Sequence, residues 1–276
     1  TGRRVSAQLA ARGLTYRIGT RHPNGDHHTR FEWTDASSWE AALINVRSVY
    51  LVAPSGVAEP LAIIVPFLEL AIRSGVKRFV LLSASSLEAG GPMMGAVHAW
   101  LRDHAPEWVV LRPTWFMQYR SEGQLLAPIR DERAIYTSTQ QGRVGFIDAE
   151  DIAAFAVEAL SQDDFASGDY ILTGPATLSY DDVAATLSDA LGAKVTHHHL
   201  SVDELTERHR VHSGLPEDYA RTLASMDANI AAGSEDRTTN QVERIIGRRP
   251  HSFAEFAKEH RATWRARRAN EQRRIV

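Results

Sequence analysis

The sequence predicts an α/β fold, a doubly wound parallel sheet with a smaller, mostly helical C-terminal substrate domain, and three observations carry that prediction. Through the first 120 residues, short apolar runs rich in β-branched side chains alternate with longer amphipathic ones, the βαβα rhythm of a parallel sheet covered by helices on both faces. Two of the runs, residues 78–86 and 108–118, are too short for helices and almost continuously apolar, as strands buried on both faces are. Each ends in a polar turn, and ligands of open α/β sheets sit beyond the carboxyl ends of the strands.

In chain order, residues 3–12 read as a helix, 14–20 and 29–32 as strands, 39–45 as a helix and 48–54 as a strand. Residues 60–74 follow as a helix, with Pro60 near its start and Gly75 just past its end, where those residues belong. Residues 77–84 form the next strand. After Arg120 the rhythm loosens: 143–147 and 170–173 read as strands on either side of a helix over 149–161. Ser179 with Asp182, Ser201 with Glu204 and Ser252 with Glu255 match the hydroxyl-then-acid pattern of a helix start. The expected division is a dinucleotide-binding domain over 1–118 and a substrate-binding part over 119–276, some of whose strands return to the main sheet.

Composition bounds the function. With 276 residues, 43% hydrophobic and 24% charged, and a net charge of −3, the chain can bury a large core and has no overall field to attract nucleic acid or an anionic membrane. The absence of cysteine excludes disulfides, zinc-cysteine sites and cysteine nucleophiles. No run approaches eighteen apolar residues, and the start is basic and polar, so neither a membrane span nor a signal peptide is expected. The expectation is a cytoplasmic monomer or homodimer acting on a small molecule. The arginine-rich end, Arg261 to Arg274, is broken by Glu271 and reads as a solvated helix and tail.

The chain opens Thr-Gly-Arg-Arg-Val straight into a helix. Thr1-Gly2 matches the end of a Gly-x-x-Gly-x-x-Gly phosphate loop, with Gly2 as the third glycine, where close helix-to-strand packing forbids a side chain. On that pattern roughly ten residues of strand and loop belong before Thr1. Counting on from Gly2, the next strand ends at Thr20-Arg21. An acid there would bind the ribose 2′-hydroxyl of NAD, whereas arginine accommodates the 2′-phosphate of NADP; the alternative is a solvated surface arginine. Ala53-Pro54, at the end of the following strand, would border the adenosine half of the cofactor.

Around the nicotinamide, Ser83, Ala84, Ser85, Pro113, Thr114, Trp115 and Phe116 are the first candidates. His98, on the helix between those strands, reads either as a proton donor or substrate-orienting group or as a helix histidine bonded to a neighbouring loop. Met93, Met94, Trp100, Trp115 and Phe116 form either an apolar wall for a flat substrate or core. No Tyr-x-x-x-Lys exists: the three lysines, Lys77, Lys194 and Lys258, follow Arg73, Ala190 and Ala254 by four. His197-His198-His199 lies in an expected strand, whose alternation keeps all three from one metal, and His22, His27 and His28 read as solvated. No metal is expected.

Residues 78–92, 97–101, 111–117, 31–35, 169–175 and 178–184, together with Gly-Leu-Pro-Glu-Asp-Tyr-Ala at 214–220 and Ser-Phe-Ala-Glu-Phe-Ala at 252–257, resemble the NmrA-like branch of the atypical short-chain dehydrogenases. Within it the chain is most similar to the ergot-alkaloid biosynthesis reductases, the festuclavine and agroclavine dehydrogenases. The resemblance implies a Rossmann-type NADP(H) domain and reduction at a C=N bond. It places Gly2 and Arg3 at the phosphate loop, Thr20 and Arg21 at the 2′-phosphate, Ala53 and Pro54 beside the adenosine half, and Ser83–Ser85 with Pro113–Phe116 around the nicotinamide. Met93, Met94, His98, Trp115 and Phe116 become the substrate-side residues, with His98 as the catalytic candidate. The missing Tyr-x-x-x-Lys favours an iminium or similarly activated electrophile over a ketone. It also suits two alternatives, a non-catalytic NADP(H)-sensing regulator and a quinone or aromatic reductase.

Overall fold

The computed structural model describes residues 1–123 and 125–265, so the arginine-rich segment from 266 onward lies outside the described residues. Two compact units share the chain. The first comprises residues 1–114, 149–172 and 240–249, and the second 115–148, 173–239 and 250–276.

The first unit begins with α1 (Gly2–Ala11) and then β1 (Ile18–Thr20) and β2 (His28–Arg30), which pair parallel as a separate two-stranded sheet. The strand expected over 14–20 is shorter because its pairing with β2 covers only Ile18 to Thr20. The short helix α2 (Trp39–Leu43) precedes β3 (Ser48–Leu51), α3 (Leu61–Arg73), β4 (Arg78–Leu82), α4 (Met94–His104) and β5 (Glu107–Pro113). Pro60 stands at the start of α3, and Gly75, at φ +95°, turns the chain out of it. Pro66 lies inside that helix and removes one intrahelical donor.

Beyond β5 the chain enters the second unit, where a π-helical turn (Pro128–Glu132) leads into β6 (Ala134–Thr137) and β7 (Arg143–Val144). The strand expected over 143–147 is shorter, ending at Val144 where its pairing with Leu178 ends; at Gly145 an added Cβ would stand 2.6 Å from the Arg237 carbonyl oxygen, so no side chain fits there. Returning to the first unit, the chain forms α5 (Ala149–Ser161) and β8 (Gly168–Leu172), which completes a four-stranded parallel sheet in the order β3-β4-β5-β8. Its middle strands are buried on both faces, and Ile64, Phe67, Leu68, Phe79, Leu81, Val97 and Leu101 form the core around them. Each such side chain contributes roughly 1.5–3 kcal/mol on burial.

The second unit resumes with β9 (Leu178–Ser179), antiparallel to β7, then α6 (Tyr180–Leu191), β10 (Thr196–His199), α7 (Val202–Ser213) and α8 (Glu217–Ala231). The helix α9 (Gln241–Ile246) belongs to the first unit and α10 (Phe253–Glu259) to the second. The second core gathers Met117, Phe146, Tyr180, Val183, Leu187, Phe256 and Trp264. Ser179, Ser201 and Ser252 each close a full capping box with Asp182, Glu204 and Glu255. Among the described residues no helix is long and apolar enough to cross a membrane.

Candidate active site

In the first unit, β4 and β5 run in parallel register from Arg78 beside Glu107 to Leu82 beside Leu111, and their pairing continues past the strand ends. The Ser83 N–H donates to the Leu111 carbonyl at 2.8 Å and the Ser85 N–H to that of Pro113 at 2.9 Å. Ser83, Ala84 and Ser85 are thereby fixed beside Pro113. Thr114 extends the ladder on the other side, its N–H and its Oγ1 donating to the Leu172 carbonyl at 3.0 and 3.3 Å. Ser83, Ser85 and Thr114 are buried. The Ser83 hydroxyl has no hydrogen-bond partner among the described residues. A buried polar group left so costs about 1–3 kcal/mol, and a bound polar ligand at this strand end would offset that cost.

Arg112 shapes this turn, and the sequence reading passed over it. Its side chain is only 4% exposed; Nη2 donates to the Ser85 carbonyl at 2.8 Å and to Glu88, and Nη1 to Asp169 at 2.7 Å. The signal was present in Leu-Arg-Pro, because a guanidinium inside an apolar strand must find acceptors or pay its desolvation. Gly95, in the first turn of α4, closes the same loop: an added Cβ would stand 2.4 Å from the Glu88 carbonyl oxygen, and the Gly95 carbonyl accepts the Gly90 N–H at 2.8 Å.

The residues expected at the other end of the cofactor lie on the same unit. Gly2 and Arg3 occupy the first turn of α1, which holds no acid and whose N-cap, Thr1, makes no side-chain cap bond. Helix starts of that kind accept anions. A Cβ added to Gly2 meets nothing within 4 Å among the described residues. Thr20 ends β1 and Arg21 follows it, exposed. Ala53 and Pro54 are half-buried just past β3.

Two substrate-side expectations change. Met94 is 3% exposed and belongs to the core of the first unit, whereas Met93, at φ +53° ahead of α4, is 47% exposed. The helix begins between them and turns only the second inward. His98 is buried, its ring 5.6 Å from that of Trp108 at the start of β5. Its Nδ1 has no hydrogen-bond partner among the described residues. Burial pushes its pKa below the usual histidine range, the Arg112 and Arg102 charges adding to the shift against Asp169 and Glu88. A neutral ring of this kind is a poor general acid at neutral pH.

Trp115 and Phe116 fall in the second unit. The Trp115 carbonyl accepts the Ile147 N–H at 3.1 Å, Phe116 bridges Ile147, and the Phe116 ring stacks on Tyr119 at 5.5 Å. Both side chains are half-buried, and Trp115 packs against the core of that unit.

No family model matches the chain. YesF, an oxidoreductase of Bacillus subtilis, is 42% identical over 267 residues, which are 95% of this chain and 92% of that protein. The agroclavine dehydrogenase of Claviceps fusiformis is 34% identical over 278 residues, 96% of this chain and 95% of its own. Among solved structures, the NADPH-dependent quinone oxidoreductase QOR2 of Escherichia coli, in complex with NADPH, has the same fold, with a TM-score of 0.72 at 22% identity over 92% of this chain and 86% of the other.

Proposed function

Since the chain belongs to the NmrA-like branch of the atypical short-chain dehydrogenases, alongside the agroclavine dehydrogenases, we propose that it is an NADPH-dependent reductase of a small, flat, apolar substrate activated at a C=N bond. The observation that carries this reading is the strand-end turn of β4 and β5: it holds a buried hydroxyl with no partner among the described residues, and the sequence has no Tyr-x-x-x-Lys to act as an acid.

NADP(H) fits the residues present, and when bound it supplies the hydride. The start of α1, with Gly2 and Arg3, holds the pyrophosphate. Arg21 forks onto the 2′-phosphate, Thr20 borders it, and Ala53 and Pro54 let the backbone approach the adenosine half. Ser83, Ala84, Ser85, Pro113 and Thr114 flank the nicotinamide, with the Ser83 hydroxyl taking its missing hydrogen bond there. On the first unit Met93 offers an exposed thioether; on the second, Trp115 and Phe116 offer aromatic faces that suit a cationic substrate. Met94 and His98 stay in the structural interior.

The electrophile follows from what the turn lacks. Hydride added to a ketone leaves an alkoxide, so an acid must deliver a proton as the charge develops. An iminium carbon accepts hydride to give a neutral amine, with the C–H bond formed and the C=N π pair returned to nitrogen. No proton is required in that step. This chain's residues therefore bind, orient and exclude water.

NADPH consumption with cyclic imines and matched ketones tests the reading. We expect imine turnover, with ketones slower by roughly the 10²–10⁴-fold that a general acid contributes, and His98→Ala within about threefold of wild type on imines. Arg21→Glu should lose a charge-assisted contact of about 1.5–3 kcal/mol, weakening NADPH binding tenfold or more while sparing NADH. Ketone turnover abolished by His98→Ala would make His98 the acid and overturn the reading. Tight NADPH binding without turnover of any imine, ketone or quinone would make the chain a sensor.

A further inference from the structure

Within the second unit, three side chains with no part in the proposed reduction converge. Asp181 is the second residue of α6, and His197 and His199 stand two apart on β10, so both rings leave the strand on one face. The Asp181 Oδ1 lies 2.8 Å from His197 Nδ1 and 3.3 Å from His199 Nε2. One ligand atom from each residue falls within 4.8 Å of the other two. His198, between them, turns the other way and stacks on Tyr136 at 4.9 Å. The alternation that keeps three histidines from meeting brings two of them to one carboxylate.

We propose that Asp181, His197 and His199 form a binding site for a divalent transition-metal ion, with Zn²⁺ as the best-fitting member. Two imidazoles and one carboxylate are the donor set of zinc and its neighbours, whereas Ca²⁺ and Mg²⁺ require oxygen ligands. With ligands about 2.0–2.1 Å from a tetrahedral ion, two donor atoms stand ~3.3 Å apart. His199 and Asp181 already have that separation. His197 and Asp181 are closer because a proton holds them together, and they open by about half an ångström when the ion takes its place.

The surrounding groups support the exchange. His197 Nε2 lies 2.7 Å from Thr137 Oγ1, a hydroxyl able to donate or accept. As the ion binds, the ring proton moves from Nδ1 to Nε2 and is donated to Thr137, the outer hydrogen bond that orients metal-bound histidines. The His199 proton moves likewise to its Nδ1. Gln141 Nε2 approaches Asp181 Oδ2 at 3.4 Å and steadies the carboxylate. The His197 side chain is 1% exposed, those of Asp181 and His199 45% and 35%, so solvent reaches the site and water completes the coordination. The ion would clamp β10 to the start of α6.

Chelator-treated full-length protein titrated calorimetrically with Zn²⁺, and spectroscopically with Co²⁺, tests the site. The expected results are one ion per chain with a micromolar or tighter Kd, the visible bands of four-coordinate Co²⁺, and a higher unfolding temperature. His199→Ala and Asp181→Asn, both at half-exposed positions and checked for folding by circular dichroism, should each weaken binding at least tenfold. Replacing His27 and His28 together by alanine should leave it unchanged. Absence of stoichiometric binding at micromolar Zn²⁺, binding indifferent to both site variants, or binding lost with His27 and His28 would overturn the proposal.

Discussion

The guanidinium of Arg120 is buried against aromatic faces, 4.2 Å from the ring centre of Phe146 and 5.0 Å from that of Tyr180, and its backbone carbonyl accepts the Trp264 indole N–H at 2.6 Å. This cation acts on Asp227, which accepts the Ser138 N–H at 3.1 Å. Burial pushes the Asp227 carboxyl up to about 6, against the hydrogen bond from Ser138 and the Arg120 charge. Between about pH 4 and pH 6 the folded chain thus holds a proton that the unfolded chain has released. The contribution is fully present below the ordinary aspartate pKa and is lost as pH rises through about 6. Asp227→Asn, which keeps an acceptor for Ser138, removes that loss. Urea unfolding at pH 4.5 and 7.0 should show the variant gaining on wild type by on the order of 2 kcal/mol across the interval; a difference independent of pH would remove Asp227 as its source. Residues of this kind escape sequence reading because their chemistry is set by non-local burial. Met93 and Met94 show the same limit at one step of sequence, since only the start of α4 decides which of them faces inward.

At the scale of elements, what was legible was local. Each of the three capping boxes is written in four consecutive residues and each is present. The parallel strands β4 and β5 were visible as buried runs for the same reason. Less visible was where a distant backbone leaves no room for a side chain, as the Arg237 carbonyl does at Gly145. Gly95 belongs to that second kind: nothing nearby in the sequence announces that its missing Cβ makes room for the Glu88 carbonyl. Gly95→Ala must push α4 away from the loop that carries Ser83 and Ser85, at the roughly 1–3 kcal/mol typical of overpacking. Because Arg112 binds both Ser85 and Glu88, the displacement is passed to the candidate nicotinamide turn. We expect a lower unfolding temperature together with weaker NADPH binding, read by thermal denaturation and fluorescence titration. A variant with unchanged NADPH affinity would separate the loop from the cofactor site.

For the whole molecule, the order of the chain decides what can fold. The first unit is assembled from three separate segments, and β8, its fourth main-sheet strand, arrives some fifty residues after β5 ends. Without β8 the register from Val109 beside Gly168 to Pro113 beside Leu172 is lost, and β5, buried from Val109 to Pro113, becomes an open apolar edge. Such an edge recruits other chains. The same cut removes α5, whose Ile152, Ala153, Phe155, Ala156 and Val157 are buried. It also removes the Ala159 and Asp163 carbonyls that accept from the buried Arg78 guanidinium at 3.0 and 2.8 Å. In the fragment Arg78 would keep Glu107, but the apolar surface that α5 covers would be exposed to water, a loss that weighs heavily against the about 5–15 kcal/mol stability of a typical domain. Residues 1–118, although they contain every residue proposed to contact the cofactor, should therefore aggregate or lack a cooperative unfolding transition when expressed alone. Supplying 1–249 restores β8, α5 and α9 and should recover NADPH binding. A monomeric, cooperatively unfolding 1–118 fragment that binds NADPH would show that the strand order along the chain does not limit folding of the nucleotide unit.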